Sequence, residues 1–307
     1  MTGERPRVPW VVGVSGASGT PYAASVLRGL LAAGLPVDLV VSRAARLTLL
    51  DETGIAWRDG PGAWPDALGD WLGRTLAGQD RRDRDEVAAQ VGALVRVHGA
   101  DNLAAGPSSG SYPTRGMIVV PASTATVAGI ALGLSKDLLQ RAADVTLKER
   151  RRLVVVPREM PFTGATLRHL VDLHTAGATV AAASPGFYAG AVDAQALVDF
   201  VAGRVLDAAG VPNVLFRRWA GELGAARTDP PRPGTVDAGT TVDAEARADA
   251  EVGADTEVGA DTEARADTET TVDTATVDGE REQDGEHERT ADGAAGAAGT
   301  VSARRRA

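Results

Sequence analysis

The sequence predicts an α/β fold in which a mostly parallel sheet is covered by helices on both faces. Short β-branched runs alternate with stretches of helical periodicity, and the runs break into small-residue loops that open straight into helices. A third observation sets the limits of that fold. From Asp229 onward the 307-residue chain carries 20 acidic and 8 basic residues, against 41 and 32 in the whole, so the net charge of -9 is a tail of -12 on a body of +3. Glu251-Val-Gly-Ala-Asp-Thr is repeated at once from Glu257, and large apolar residues are almost missing there. Such a segment cannot bury enough surface to offset its chain entropy. The expected organisation is one folded domain over residues 1–224 and an acidic, low-complexity, disordered tail over 225–307.

The first run, residues 11–14, leads into Ser15-Gly-Ala-Ser-Gly-Thr20 and a helix over 23–31. The spacing Gly13-x-x-Gly16-x-x-Gly19 is neither a dinucleotide fingerprint nor a P-loop. Gly16 and Gly19 allow close approach of a ligand, and the free N–H groups of the helix start favour an anion; a tight turn without ligand has the same sequence. Residues 37–41 form a second strand ending at Ser42, and 44–53 a helix containing Glu52. Residues 54–90 break the rhythm with Gly, Pro and Trp, and the charged run 80–86 reads as a solvated helix face rather than a metal site, because arginines interrupt its aspartates. A third strand follows at 94–98, then the Gly/Ser-rich loop Gly106-Pro-Ser-Ser-Gly-Ser-Tyr112.

Residues 116–120 form a buried fourth strand. Pro121-Ala-Ser-Thr-Ala-Thr126 leads from it into the next helix, and places hydroxyls where open α/β sheets bind ligands. N-capping by Ser123 or Thr124 is the equally good alternative. A helix over 137–152 carries Arg141, Lys148 and Arg150 to Arg152, which the helix dipole alone could favour. The fifth strand, 153–156, runs into Pro157-Arg158-Glu159-Met160-Pro161, where two prolines stiffen a charged pair at the ligand edge. A helix over 163–176, a sixth strand over 179–183, the loop Ser184-Pro-Gly-Phe-Tyr188 and a helix over 193–209 bearing Arg204 close the fold.

Without cysteine there are no disulfides, thiolate metal sites or cysteine nucleophile. The four histidines, His98, His169, His174 and His287, lack ligand spacing, so they read as satisfied or exposed. A weakly basic body with 4% aromatics gives no sign of a nucleic-acid surface, and no apolar stretch reaches membrane-spanning length. Residues 1–9 lack a secretory apolar region, so a soluble cytoplasmic protein is expected. What remains is a constellation of hydroxyls and small residues for one anion, cations for a second, the carboxylates Glu52 and Glu159, and the phenol Tyr188. Cations around a leaving phosphate, with a carboxylate beside them, suit ionisation of a phosphate ester.

Residues 11–22, Ser42-Arg-Ala-Ala-Arg-Leu47 with Asp51-Glu-Thr53, Ser108-Ser-Gly-Ser111, Arg141-Ala-Ala-Asp-Val-Thr-Leu-Lys-Glu-Arg-Arg, Val156-Pro-Arg-Glu-Met-Pro161 and Pro185-Gly-Phe-Tyr188 resemble the flavin prenyltransferase family of UbiX type, over about residues 8–222. The resemblance implies a flavodoxin-like, Rossmann-like three-layer sandwich in a homo-oligomer, usually a dodecamer, with FMN held between subunits. The implied reaction joins dimethylallyl monophosphate to reduced FMN at N5 and then C6, without a metal, and the product serves a UbiD-type decarboxylase. By that resemblance Gly16, Ala17, Ser18, Ser42, Ser123, Thr124, Ala125, Thr126 and Arg158 bind the cofactor. Ser109, Gly110, Lys148, Arg158, Tyr188 and Arg204 surround the prenyl phosphate, and Trp219 closes the prenyl pocket. Ser18, Glu52, Lys148, Glu159 and Tyr188 are the implied catalytic set, with Glu159 exchanging a proton with the leaving phosphate and Ser18 and Glu52 near N5. Ala122 stands where many members have Cys, and the family has no counterpart to the acidic tail.

Two rivals are weighed against this. A flavin-dependent cysteine decarboxylase of the same fold would need an early His and a Pro-x-Met-Asn segment, and the chain has neither. A non-catalytic flavin-binding or regulatory protein would not require Lys148, Glu159, Tyr188 and Arg204.

Overall fold

The computed structural model describes residues 8–57, 64–219 and 221. The tail expected over 225–307 and the domain boundary at 224 lie outside these described residues. Six parallel strands form one sheet: β1 (Trp10–Val14), β2 (Val37–Val41), β3 (Val95–His98), β4 (Gly116–Ala122), β5 (Arg152–Pro157) and β6 (Thr179–Val180). Their order is β3-β2-β1-β4-β5-β6, so the chain reverses its direction of travel between β1 and β4. That is the Rossmann arrangement, within the three-layer class expected, and its ligand crevice lies beyond the carboxyl ends of β1 and β4.

Eight helices are described: α1 (Thr20–Ala32), α2 (Arg43–Thr53), α3 (Trp64–Leu72), α4 (Arg84–Leu94), α5 (Thr124–Ala131), α6 (Leu138–Lys148), α7 (Gly164–Thr175) and α8 (Ala194–Ala209). Side chains of alternate strand residues enter two separate cores. Val12, Val14, Leu39, Val154 and Val156 pack with Leu27, Leu30 and Leu206 of α1 and α8, while Val11, Val40, Met117 and Val155 pack with Leu138 and Leu139 of α6. The period-2 pattern of β-branched residues thus supplies both layers, as a strand buried on each face requires.

Four expectations need correction. Residues 54–90 contain α3 and part of α4, because Leu68, Trp71 and Leu72 form a buried stripe that the surrounding Gly and Pro concealed. The charged run 80–86 is only partly helical: α4 starts at Arg84, which pairs with Asp70 at 2.7 Å and with Asp80, while Arg81 pairs with Asp83 at 2.9 Å. The basic helix stops at Lys148 rather than Arg152, since Arg150 takes φ 53 and Arg151 N–H turns back to Thr146 O at 2.9 Å. Arg152 therefore opens β5, and the helix-dipole explanation applies to Lys148 alone. β6 is also short. Ala181 N–H still reaches Val155 O at 2.9 Å, but the chain then departs into the 184–190 loop.

Candidate functional site

At the crevice, one buried hydroxyl joins the two central loops. Ser15 Oγ donates to Pro121 O at 2.9 Å and accepts from Ser123 N–H at 2.7 Å, and Ser15 is 1% exposed. The β1–α1 and β4–α5 loops are thereby fixed to each other. Sequence reasoning passed over Ser15; the signal available was a hydroxyl at the first position past a fully buried strand.

The start of α1 differs from expectation. Its free N–H groups meet a carboxylate of the protein itself: Glu52 accepts from Gly19 N–H and Thr20 N–H, both at 2.8 Å, and from Thr20 Oγ1 at 2.6 Å. Burial raises the Glu52 pKa, but hydrogen bonds from the Thr20 and Ser18 hydroxyls and from the Gly19 and Thr20 amides outweigh it, leaving the carboxyl below its ordinary 4.5. Glu52 and Ser18 are thus brought together. The glycines also have other reasons than ligand approach: a Cβ on Gly16 would collide with Ala44 of α2, and Gly19 has φ 113.

Anion capacity remains at the neighbouring helix starts. Ser42 and Ser123 act as N-caps, accepting from Ala45 N–H at 3.1 Å and Thr126 N–H at 3.3 Å, so the capping alternative holds for Ser123, and Ser42 has the same role. The amides of Arg43, Ala44, Thr124 and Ala125 have no protein partner among the described residues. Arg158 lies over the same loops: its Cγ is 3.7 Å from where a Cβ on Gly19 would stand. Its Nε is buried without a partner among the described residues. A buried guanidinium N–H is costly to leave unpaired, so these donors fit an anionic cofactor such as FMN. Glu159, next along, is exposed and accepts only from Met160 N–H at 2.9 Å among the described residues.

An aromatic group stands beyond β6. Tyr188 meets Phe200 edge-on at 5.5 Å and Trp219 edge-on at 5.8 Å, with Tyr188 and Trp219 half exposed. Arg204 lies one helical turn after Phe200 on α8 and pairs with Asp207 at 3.1 Å. Tyr188, expected beside the prenyl phosphate, and Trp219, expected to close the prenyl pocket, are therefore in contact, and Arg204 stands on the helix that carries Phe200.

Ser109, Gly110 and Lys148 gather elsewhere. A Cβ on Gly110 would stand 2.6 Å from Lys148 Nζ, and Lys148 pairs with Glu149, whose carboxyl that contact lowers. This group precedes β4 and β5, whereas Arg158 and Glu159 follow β5. The length of β5 separates them, about 20 Å at the rise of a strand. The expectation that Lys148 joins Arg158 and Arg204 around one phosphate therefore fails within a single chain, because α6 runs antiparallel to the strands and delivers its last residue to the opposite sheet edge.

A cavity of ≈ 280 Å³, lined among others by Pro21, Ala24, Arg28, Trp71 and Gln195, shares only Glu52 with the predicted site. Among the described residues, no three His, Asp or Glu gather to hold a metal ion, and no helix is long and apolar enough to cross a membrane.

Comparison with known proteins agrees with this geometry. The flavoprotein family model matches residues 2–206. A flavin prenyltransferase UbiX from Streptomyces coelicolor is 68% identical over 220 residues, covering 72% of this chain and 99% of the relative. One from Pseudomonas aeruginosa is 37% identical, covering 67% and 91%. Among solved structures, AnUbiX (PadA1) in complex with FMN and dimethylallyl pyrophosphate superposes with a TM-score of 0.58 at 34% identity, over 71% of this chain and all of that one. A dodecameric FMN-dependent Ubix-like decarboxylase from Escherichia coli O157:H7 gives 0.56 at 33% identity, over 70% and 100%.

Proposed function

The chain belongs to the UbiX family of flavin prenyltransferases, and we propose that its crevice joins a dimethylallyl group to reduced FMN at a site completed by a second copy. The observation that carries this reading is Arg158: a buried, unpartnered guanidinium N–H beside the two loops that Ser15 fastens together. Arg158, with Gly16, Ala17, Ser18, Ser42 and the 123–126 helix start, holds the flavin nucleotide. When bound in its reduced form, FMN supplies N5 and C6 as the atoms that accept the prenyl carbon.

The donor is dimethylallyl monophosphate. Its phosphate meets the Ser109 and Gly110 turn with Lys148 from one copy, and Arg158, Tyr188 and Arg204 from another. As the allylic C–O bond breaks, negative charge grows on the departing phosphate, and fixed cations in a water-poor site stabilise that change without reorganising. Glu159, which accepts only from the Met160 amide among the described residues, exchanges the proton with the phosphate. Glu52, kept ionised by four hydrogen-bond donors, anchors Ser18, and the two would lie near N5 of a bound flavin and assist the second bond. Trp219 and Tyr188 cover the apolar tail and exclude water.

Oligomerisation follows from the division of the site between sheet edges, and a dodecamer like that of the Escherichia coli relative is the assembly expected. The prenylated flavin has no further use within this site, so it is passed on to a UbiD-type decarboxylase in the cytoplasm. Purified protein mixed anaerobically with reduced FMN and dimethylallyl monophosphate should yield a flavin heavier by one C5 unit in mass spectra. Absence of that adduct while FMN remains bound would refute the reading and leave a flavin-binding protein.

A further inference from the structure

Residues 99–115 connect β3 to β4, run beside α6 and carry the Ser109–Gly110 turn. One carboxylate holds this connection at both ends. Asp38, on β2 and 2% exposed, accepts from Tyr112 Oη–H at 2.8 Å through Oδ2 and lies 2.9 Å from His98 Nε2 through Oδ1. His98 closes β3, and Tyr112 follows the turn. Packing does not call for an acid here, since Val37 and Leu39 on either side are fully buried apolar residues and an unpaired carboxylate in a sheet is costly. Its two partners make it tolerable.

Tyr112 is fitted to the turn as well as bonded. A Cβ on Gly106 would meet its ring at 2.7 Å, so the ring lies against the start of the turn. Burial first, and Asp38 second, push the phenol pKa up, which keeps the hydroxyl a donor. From the other side Arg151 takes the carbonyls of Gly110 at 2.6 Å and Tyr112 at 2.9 Å, and Arg141 takes that of Ser108 at 3.1 Å. With those carbonyls engaged, the Gly110 and Ser111 amides have no protein partner among the described residues, and the Ser109 and Ser111 hydroxyls lie 3.0 Å apart. The turn is held by its acceptors and its neighbour's ring, and it offers donors.

We propose that Tyr112 and Asp38, backed by His98, are positioning residues that set this turn so that its free amides and hydroxyls meet the donor's phosphate together with Lys148. The proposal rests on the functional reading above and extends it to side chains that no contact with substrate requires. Tyr112→Phe keeps the ring against Gly106 and removes only the hydroxyl. It should raise KM for dimethylallyl monophosphate about five- to tenfold, a part of the value of one hydrogen bond to a charged acceptor because the effect reaches the substrate through the turn, with kcat within about twofold and FMN affinity unchanged. Asp38→Asn should shift KM in the same direction. An unchanged KM, or loss of kcat and FMN binding with KM untouched, would overturn the proposal.

Amide exchange in the assembled protein separates this from failure of the functional reading. Inorganic phosphate should slow exchange at Gly110 and Ser111 in the wild type, and far less in Tyr112→Phe. Equal protection in both would refute the positioning role even if the adduct forms. A wild type that is protected by phosphate yet forms no adduct would refute the reaction and leave the positioning intact.

Discussion

Ser15→Ala removes one hydroxyl and should loosen the crevice at its centre. The Pro121 carbonyl keeps a second bond, from Ser15 N–H at 3.2 Å, so its loss is only the net value of one hydrogen bond, about 1 kcal/mol. Ser123 N–H keeps no partner once Oγ is gone, and a part-buried orphaned amide costs about 1–2 kcal/mol. Alanine is smaller than serine and adds no clash, so the sum is about 2–3 kcal/mol of destabilisation. Urea unfolding at fixed protein concentration reads the first effect, as a lower midpoint with unchanged slope. Flavin fluorescence titration reads the second: with the two loops no longer fastened, the Kd for FMN should rise about tenfold, since each factor of ten is 1.4 kcal/mol. A variant within about 0.5 kcal/mol of the wild type and with the same Kd would show that the hydroxyl does not couple the loops.

Three further outcomes follow from the same geometry. Glu52 has a folded pKa below 4.5, so its contribution to stability is complete above that value and is lost as pH falls through the lower, folded one. Glu52→Gln should therefore be less stable than the wild type at pH 6, and the gap should narrow by pH 3; a constant gap would contradict the sign. Gly116→Ala should destabilise by more than about 3 kcal/mol in the same urea experiment, because φ is 148 and the added Cβ would strike the Arg152 carbonyl on β5. Wild-type stability in that variant would mean that β4 and β5 approach less closely than described. Truncation after Gly224 should leave adduct formation and FMN affinity intact, as expected for a separate low-complexity tail, and a loss of either would assign the tail a role in the enzyme.

Much of the fold is legible because buried strands and amphipathic helices write their periods directly into the sequence. Residues 11–14 and 37–41 read as parallel strands for that reason, and the helix start at Ser123 is visible as a cap. The 54–90 segment was opaque because its buried stripe of Leu68, Trp71 and Leu72 is spread among Gly and Pro, and the partners that bury it, α4 and α1, are set by the tertiary fold. The end of α6 was opaque too, since a left-handed Arg150 leaves no compositional trace. In the site, residue types were easier to read than their grouping. Lys148 and Arg158 are ten positions apart in sequence, yet β5 between them carries each to its own edge of the sheet. Ser15 and Asp38 were missed because a buried polar residue inside an apolar run declares itself only through its partners.

Complementation tests the division of the site most directly. Lys148→Ala and Glu159→Gln, each inactive alone but still binding FMN, would be co-assembled in equal amounts and assayed for the C5 adduct. If one copy supplies Lys148 and another Glu159, random mixing restores both wild-type groups to about a quarter of the sites, and activity should recover to about that level. Mixed oligomers as inactive as their parents would mean that one chain supplies both groups, against the geometry described.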